Sequence, residues 1–131
     1  MGQINWLDKI GWTEENLEDI RYTGFSYVKQ GKYEIALNFF EALAILVPNE
    51  PYDAQTLGAI YLQLNEPKKA LKQFEKALQL APKHAPTLLN LSKKFFSLGR
   101  KEEALKICHL LKKNENLATA SVAKALILAY S

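Results

Sequence analysis

Cysteine, histidine and arginine are scarce in this chain. Its 131 residues include one cysteine and two histidines. A single cysteine excludes an intrachain disulfide, so we expect a reducing compartment such as the cytoplasm. The sequence also lacks a glycine-rich phosphate loop, a zinc-ligand spacing and a nucleophile motif. We therefore predict no cofactor, no metal site and no enzymatic activity.

Long hydrophobic runs are also missing. No stretch approaches the roughly 18 continuous apolar residues that a membrane helix needs, although 48% of the residues are hydrophobic. The opening segment, MGQINWLDKIGW, has no basic region followed by an apolar run. We therefore expect neither a membrane span nor a secretory signal.

Charge is distributed unevenly along the chain. Residues 1–66 hold 4 Lys and Arg against 10 Asp and Glu, a net charge of −6, whereas residues 67–131 hold 13 against 4, a net charge of +9. The basic half favours an acidic partner. Alternatively, its lysines are only the solvent-exposed residues of ordinary helix surfaces. Nucleic-acid binding is disfavoured, because only two residues are arginines and no aromatic residues alternate with the lysines.

A repeat of 34 residues organises the chain. A shift of 34 superposes five positions of the first repeat on five of the second and five of the third. The three sets are Gly24, Tyr27, Ala36, Phe40 and Pro48; Gly58, Tyr61, Ala70, Phe74 and Pro82; and Ser92, Phe95, Ala104, Cys108 and Asn116. The register holds without a gap, which indicates a stack of equivalent structural units.

Each repeat contains two amphipathic segments. Apolar residues recur every three or four positions, as in TLGAIYLQL and ALKQFEKALQL, which predicts two helices per repeat. Thr13 is a predicted N-cap. The predicted helices span residues 14–30, 34–47, 52–64, 68–81, 86–98, 102–113 and 117–130.

Small and turn-forming residues lie at fixed places in the repeat. Gly24, Gly58 and Ser92 are expected to let the two helices of a repeat approach closely. Gly31, Asn65 and Gly99 are expected to end the first helix of each repeat in a left-handed conformation. Cys108 occupies the position of Phe40 and Phe74, so we predict that it packs in the core. His84, between Pro82 and Pro86, is expected to face solvent.

The Leu-Gly-x-x-Tyr, Ala-x-x-x-Phe and Pro pattern resembles the tetratricopeptide repeat (TPR), and residues 51–84 carry all of it. The resemblance implies an all-α, right-handed α-solenoid of three TPR helix pairs plus a C-terminal capping helix. We predict an N-terminal arm at residues 1–12 and a TPR domain at 13–131. Its repeats would span residues 17–50, 51–84 and 85–118. Segment 117–130 is apolar nearly all round, so it either caps the third repeat or docks another chain.

In TPR proteins the first helices line a concave groove that binds peptides. By this resemblance, the predicted peptide-binding residues are Arg21, Phe25, Val28, Lys29, Tyr52, Gln55, Ala59, Leu62, Gln63, Leu89, Lys93 and Phe96. Several of them are apolar, which favours an extended or helical peptide with aliphatic side chains. Alternatively, Leu62, Leu89 and Phe96 belong to the core of the repeats.

A closer resemblance is to the SycD/LcrH-type chaperones of bacterial type III secretion. It covers about residues 17–119 and rests on Tyr27, Gly31, Lys32, Tyr33, Ala36, Phe40, Ala42, Leu43, Leu57, Gly58 and Ala59. It implies a cytoplasmic chaperone that holds a hydrophobic translocator or needle subunit and prevents premature assembly. Repeats two and three, especially residues 68–91, are nearer to the plain TPR pattern than those chaperones usually are.

Two other kinds of partner are compatible with the pattern. TPR domains that bind the C-terminal carboxylate of a heat-shock chaperone use an asparagine where this chain has Phe25, which weakens that interpretation. A TPR scaffold in another multiprotein complex would bind a folded partner on its convex side or through residues 117–130. The N-terminal arm or the terminal helix is also a candidate contact for a homodimer or a heterodimer.

Overall fold

The computed structural model of the chain describes residues 9–131. Residues 9 and 10 are helical, and seven further α-helices follow. They are α1 (Glu14–Lys29), α2 (Tyr33–Leu46), α3 (Pro51–Gln63), α4 (Pro67–Leu80), α5 (Ala85–Ser97), α6 (Lys101–Leu111) and α7 (Leu117–Tyr130), with a 3-10 turn at Pro82–His84. Each of the seven starts within one residue of its predicted start and ends within two of its predicted end. The all-α prediction is confirmed, whereas most of the predicted arm lies outside the described residues.

The first helix begins with a capping box. The hydroxyl oxygen of Thr13 accepts a hydrogen bond from the backbone N–H of Asn16 (3.4 Å), and the Asn16 amide oxygen accepts one from the backbone N–H of Thr13 (2.8 Å). Two of the N–H groups at the start of α1 are thereby satisfied. The predicted N-cap at Thr13 is confirmed.

The turn between the two helices of each repeat has a left-handed residue at the same place. Gly31 has φ of 73°, Asn65 of 61° and Gly99 of 77°. Glycine and asparagine adopt this conformation at low cost, which allows the chain to reverse directly after the first helix. The three predicted turn residues therefore all have the expected backbone conformation.

The two helices of a repeat meet at a small residue. A Cβ atom added to Gly24 would lie 2.7 Å from the ring of Phe40, and one added to Gly58 would lie 2.5 Å from the ring of Phe74. The third repeat has Ser92 at this position, and there the facing residue is the smaller Cys108, whose sulfur lies 3.6 Å from the serine oxygen. The predicted core position of Cys108 is confirmed, because it is fully buried.

Helix α3 joins two hydrophobic clusters. Leu57 and Ile60 pack with Leu17, Phe40 and other residues of the first repeat. Leu62, on another side of the same helix, packs with residues of the third repeat. A first helix thus uses one side toward the preceding repeat and another toward the next, which fixes the repeats in register.

Two further contacts extend the stack toward the C-terminus. Arg100, in the turn before α6, donates hydrogen bonds to the backbone oxygen of Leu62 and to the side-chain oxygen of Gln63 at the end of α3. Helix α7 packs on α5 and α6, with Thr119, Ala120 and Ala123 buried beneath it.

Of the helices in residues 9–131, none combines the length and the apolar character that a membrane span requires.

Candidate functional site

A pocket of about 360 Å³ lies where the three first helices face one another. It is lined by residues of α1, α3 and α5 and by one residue of α2, namely Val28, Lys29, Tyr33, Thr56, Ala59, Ile60, Gln63, Leu91, Lys94 and Phe95. Four of them, Val28, Lys29, Ala59 and Gln63, are predicted groove residues. The structure therefore brings these four together and leaves the other eight outside this pocket.

Four accessible lining residues were not among the predicted groove residues, and one of them is Tyr33 of α2. Thr56 lies one turn before Ala59 on α3, and Leu91 and Lys94 lie on α5 beside the predicted Lys93. A helix turns by about 100° per residue, so an assignment that is off by one residue selects a neighbouring face. Thr56 could have been predicted, because it lies three residues before the predicted Ala59 and therefore on the same side of α3.

The charged side chains that line this pocket are all positive. Lys29 of α1 and Lys94 of α5 are both exposed, and the pocket lining contains no aspartate or glutamate. The remaining lining is largely apolar, with Val28, Ala59 and Leu91. A ligand that presents an apolar side chain next to an acidic group would match this surface.

Exposed aromatic side chains continue the groove over the first two repeats. Phe25 is 41% exposed while its ring packs edge-on against Phe40, with the ring centroids 5.2 Å apart. Tyr52, at the start of α3, is 61% exposed. Tyr22 is 77% exposed and lies one turn before Phe25 on the same side of α1. It was not among the predicted groove residues.

Arg21 serves the fold rather than an open groove. Its guanidinium makes a two-pronged contact with the buried carboxylate of Asp53, through Nε to Oδ1 and Nη2 to Oδ2, both 2.8 Å, and it also contacts Glu18. The hydrogen bond with Asp53 raises the pKa of Arg21 further above its ordinary value, with a smaller contribution from Glu18. The prediction that Arg21 binds peptide is therefore corrected, because its side chain links α1 to α3 instead.

His84 is buried rather than solvent-facing, which corrects the prediction. Its Nδ1–H donates to the side-chain oxygen of Gln55 at 2.7 Å, and its ring lies against that of Tyr52, with the centroids 4.6 Å apart. Its Nε2 is buried and has no hydrogen-bond partner in the part of the chain that the structure describes. Burial lowers the pKa of His84, so the ring is held neutral. Gln55 is thus a support for the groove wall.

Leu62 and Leu89 do not line the groove. Leu62 is fully buried and Leu89 nearly so, and both belong to the cluster that joins the second and third repeats. Their positions on the first helices point toward the neighbouring repeat, where packing excludes water and peptide alike. The assignment of these two leucines to the groove is therefore corrected in favour of core packing.

The last two predicted residues lie toward the C-terminal end. Phe96 is partly buried, because its ring stacks on Tyr130 of α7 with the centroids 4.1 Å apart. Lys93 is exposed on α5. Accessible aromatic surface is thus concentrated on the first two repeats, whereas the third repeat contributes lysines.

Cys108 offers no reactive thiol. Burial raises its pKa, and the hydrogen bond to Ser92 offsets this only in part. The protonated form is a poor nucleophile. The arrangement described here can bind through apolar contact, stacking and positive charge.

The sequence matches the profile of the family described as anaphase-promoting complex, cyclosome, subunit 3, over residues 29–109. Among curated relatives, anaphase-promoting complex subunit 6 of Arabidopsis thaliana is 29% identical over 89 residues, which covers 64% of this chain and 16% of that protein. The mitochondrial import receptor subunit TOM70 of Saccharomyces cerevisiae is 23% identical over 125 residues, covering 92% and 20%. The chain thus spans about a fifth or less of the length of these relatives.

Two similar solved structures are complexes with part of another protein, and one of them is the type III secretion chaperone SycD. PcrH of Pseudomonas aeruginosa, in complex with the chaperone binding region of PopD, superposes with a TM-score of 0.63 at 22% identity, covering 92% of this chain and 94% of PcrH. The Yersinia enterocolitica chaperone SycD, in complex with a peptide of the translocator YopD, gives a TM-score of 0.65 at 18% identity, covering 90% and 94%. These similarities confirm the TPR solenoid and the resemblance to the SycD/LcrH-type fold.

Proposed function

We propose that this chain, which belongs to the family described as anaphase-promoting complex, cyclosome, subunit 3, binds a segment of a client protein in its concave groove. The client we propose is a hydrophobic translocator or needle subunit of a type III secretion system. Bound in the cytoplasm, it would be prevented from assembling before export. The proposed role is non-enzymatic, and release would be driven by the export machinery.

The observation that carries the proposal is the row of accessible aromatic side chains on the first helices, Tyr22, Phe25 and Tyr52. An unassembled client leaves apolar surface in water at a cost of roughly 25 cal/mol per Å². Covering that surface with aromatic rings removes the cost and blocks self-assembly of the client. Two of these rings rest on buried side chains, Phe25 on Phe40 and Tyr52 on His84. These contacts hold the two rings in place before binding, which limits the entropy that binding would cost.

The fold similarity to PcrH and SycD adds support. Both of those structures contain a segment of a partner protein, namely the chaperone binding region of PopD and a peptide of the translocator YopD. The present chain covers 94% of each of those chaperone chains, so the likeness extends through the whole repeat array.

Co-purification of three forms of the chain from the source cells tests the proposal. The wild type is compared with a groove variant, Phe25→Asp with Tyr52→Asp, and with a control variant, Leu80→Asp. Leu80 is 38% exposed, close to the 41% of Phe25, but lies on the second helix α4. We expect a stoichiometric exported protein with the wild type and the control, and its loss with the groove variant.

Circular dichroism of all three forms separates lost binding from lost folding. The substituted groove residues are exposed, so their helical signal should match that of the wild type. Retention of the client by a folded groove variant would contradict the proposal.

A scaffold in another multiprotein complex is the second candidate. It is favoured by the matches to an anaphase-promoting complex subunit and to an import receptor subunit. This role predicts that the co-purified protein is a stable folded subunit of a complex. It also predicts that the partner remains bound when Phe25 and Tyr52 are replaced.

A further inference from the structure

The C-terminal end of the solenoid is apolar on the side that faces away from the other helices. Leu128 of α7 is 82% exposed, and Leu117 is comparably so. The same side carries Ala118, Ser121, Val122, Lys124, Ala125 and Ala129, all of them exposed. We call these eight residues the C-end surface. Lys124 is the only charged residue of α7, so this surface is almost entirely apolar.

The opposite end of the solenoid is apolar as well. An open pocket of about 330 Å³ is lined by Trp12, Ile20, Asn38, Phe39 and Ala42. On α2, Ile35 and Ile45 flank Asn38 and Ala42 at helical spacing, and both isoleucines are exposed. We call these seven residues the N-end surface.

The two ends carry opposite charge. Residues 14–46, which contain α1 and α2, hold six acidic and three basic side chains. Residues 101–130, which contain α6 and α7, hold five basic and three acidic side chains. Two identical ends brought together would therefore oppose like charges, whereas unlike ends would attract.

We propose that two copies of this chain associate head to tail, with the C-end surface of one copy on the N-end surface of the next. A solenoid grows by stacking helices on the end of the preceding repeat, and the contact continues this stacking between chains. Helix α7 is about 21 Å long for its 14 residues, long enough to lie along α2, which also has 14 residues. Because the two surfaces differ, the contact is heterologous and adds further copies unless it closes into a ring.

Sedimentation velocity of the full chain at increasing concentration tests the proposal. We expect the weight-average mass of the wild type to rise above that of a dimer of 14.9 kDa chains, and to fall as salt is added. Leu128→Glu repels the acidic end and Ile45→Lys repels the basic end. Each variant alone should require at least about tenfold higher concentration to associate.

Mixing the two variants distinguishes this contact from the alternatives. Each retains one intact end, so an equimolar mixture should form a dimer and nothing larger. If the Ile45→Lys variant alone associates like the wild type, the contact joins two C-ends, and if the Leu128→Glu variant does so, it joins two N-ends. Either result, or a wild type that stays monomeric at every concentration, overturns the proposal. Leu117→Glu serves as a second C-end variant if Leu128→Glu lowers the helical signal.

Discussion

At the residue scale, the pairing of a small residue with a large one explains how each repeat closes. Gly24 and Gly58 face phenylalanine rings that leave no room for a Cβ atom. Ser92 is possible in the third repeat because Cys108 replaces the phenylalanine there. The side chains at these two positions therefore depend on one another.

This dependence predicts the effect of rebuilding the pair. Cys108→Phe should destabilise the fold by about 1 to 3 kcal/mol, because the ring would meet the Ser92 side chain in a packed core. Adding Ser92→Gly should recover part of that loss, even though glycine within a helix costs about 1 kcal/mol by itself. Urea unfolding of the two single variants and the double variant measures the coupling. Strictly additive effects would contradict the close approach at this site.

His84 shows where residue-scale reasoning from sequence failed. Flanking prolines suggested an exposed junction, but the 3-10 turn carries the ring under Tyr52 and onto Gln55. The contacts that bury it come from α3, 29 residues away from it in sequence. A local pattern contains no information about such a contact.

The burial of His84 predicts a dependence of stability on pH. Its folded-state pKa is lowered from the ordinary value of 6.5, so the unfolded chain binds the proton more readily. The free energy of unfolding should therefore fall as the pH drops below about 6.5 toward the lowered pKa, and be unaffected by this group at higher pH. Thermal unfolding of the wild type and of His84→Gln, between about pH 7.5 and pH 5, measures the difference. Equal losses in both proteins would contradict a buried neutral His84.

At the element scale, the helices and turns were predictable because the same residue pattern occurs in each of the three repeats. The spacing of apolar residues gave all seven helices, and Gly31, Asn65 and Gly99 marked the reversals. Which side of a first helix faces the groove was less predictable. Leu62 and Leu89 are apolar residues on first helices, yet they bury against the next repeat, because a helix in a stack has apolar contacts on more than one side.

The link between α1 and α3 gives a prediction at the same scale. Asp53 is 3% exposed and pairs with Arg21, so Asp53→Ala removes the buried partner of a largely buried cation and leaves it only the exposed Glu18. The expected loss is about 3 kcal/mol in the free energy of unfolding. The double variant Arg21→Met with Asp53→Leu should be much closer to the wild type, because no unpaired charge remains.

Chemical denaturation of the single and double variants measures this difference. A further comparison concerns client binding. If Arg21 acts only through the fold, we expect the double variant to retain the proposed client as the wild type does. Loss of the client from a stable double variant would restore Arg21 to the groove.

At the scale of the whole molecule, the groove is asymmetric. The first two repeats present Tyr22, Phe25 and Tyr52, and the third presents Lys93 and Lys94. In the third repeat, Tyr130 of α7 stacks on Phe96 of α5. The same helix has an exposed outer side, so the proposed client surface and the proposed surface for other copies of the chain lie apart.

Site-specific photocrosslinking in the source cells tests the groove most directly. A photoreactive phenylalanine analogue replaces Phe25, Tyr52 or, as the control, Leu80 of α4, and the crosslinked protein is identified by mass spectrometry. We predict that one exported protein crosslinks from positions 25 and 52 and not from position 80. Crosslinks from position 80 alone, or an absence of crosslinks from both groove positions, would contradict a client bound along the first helices.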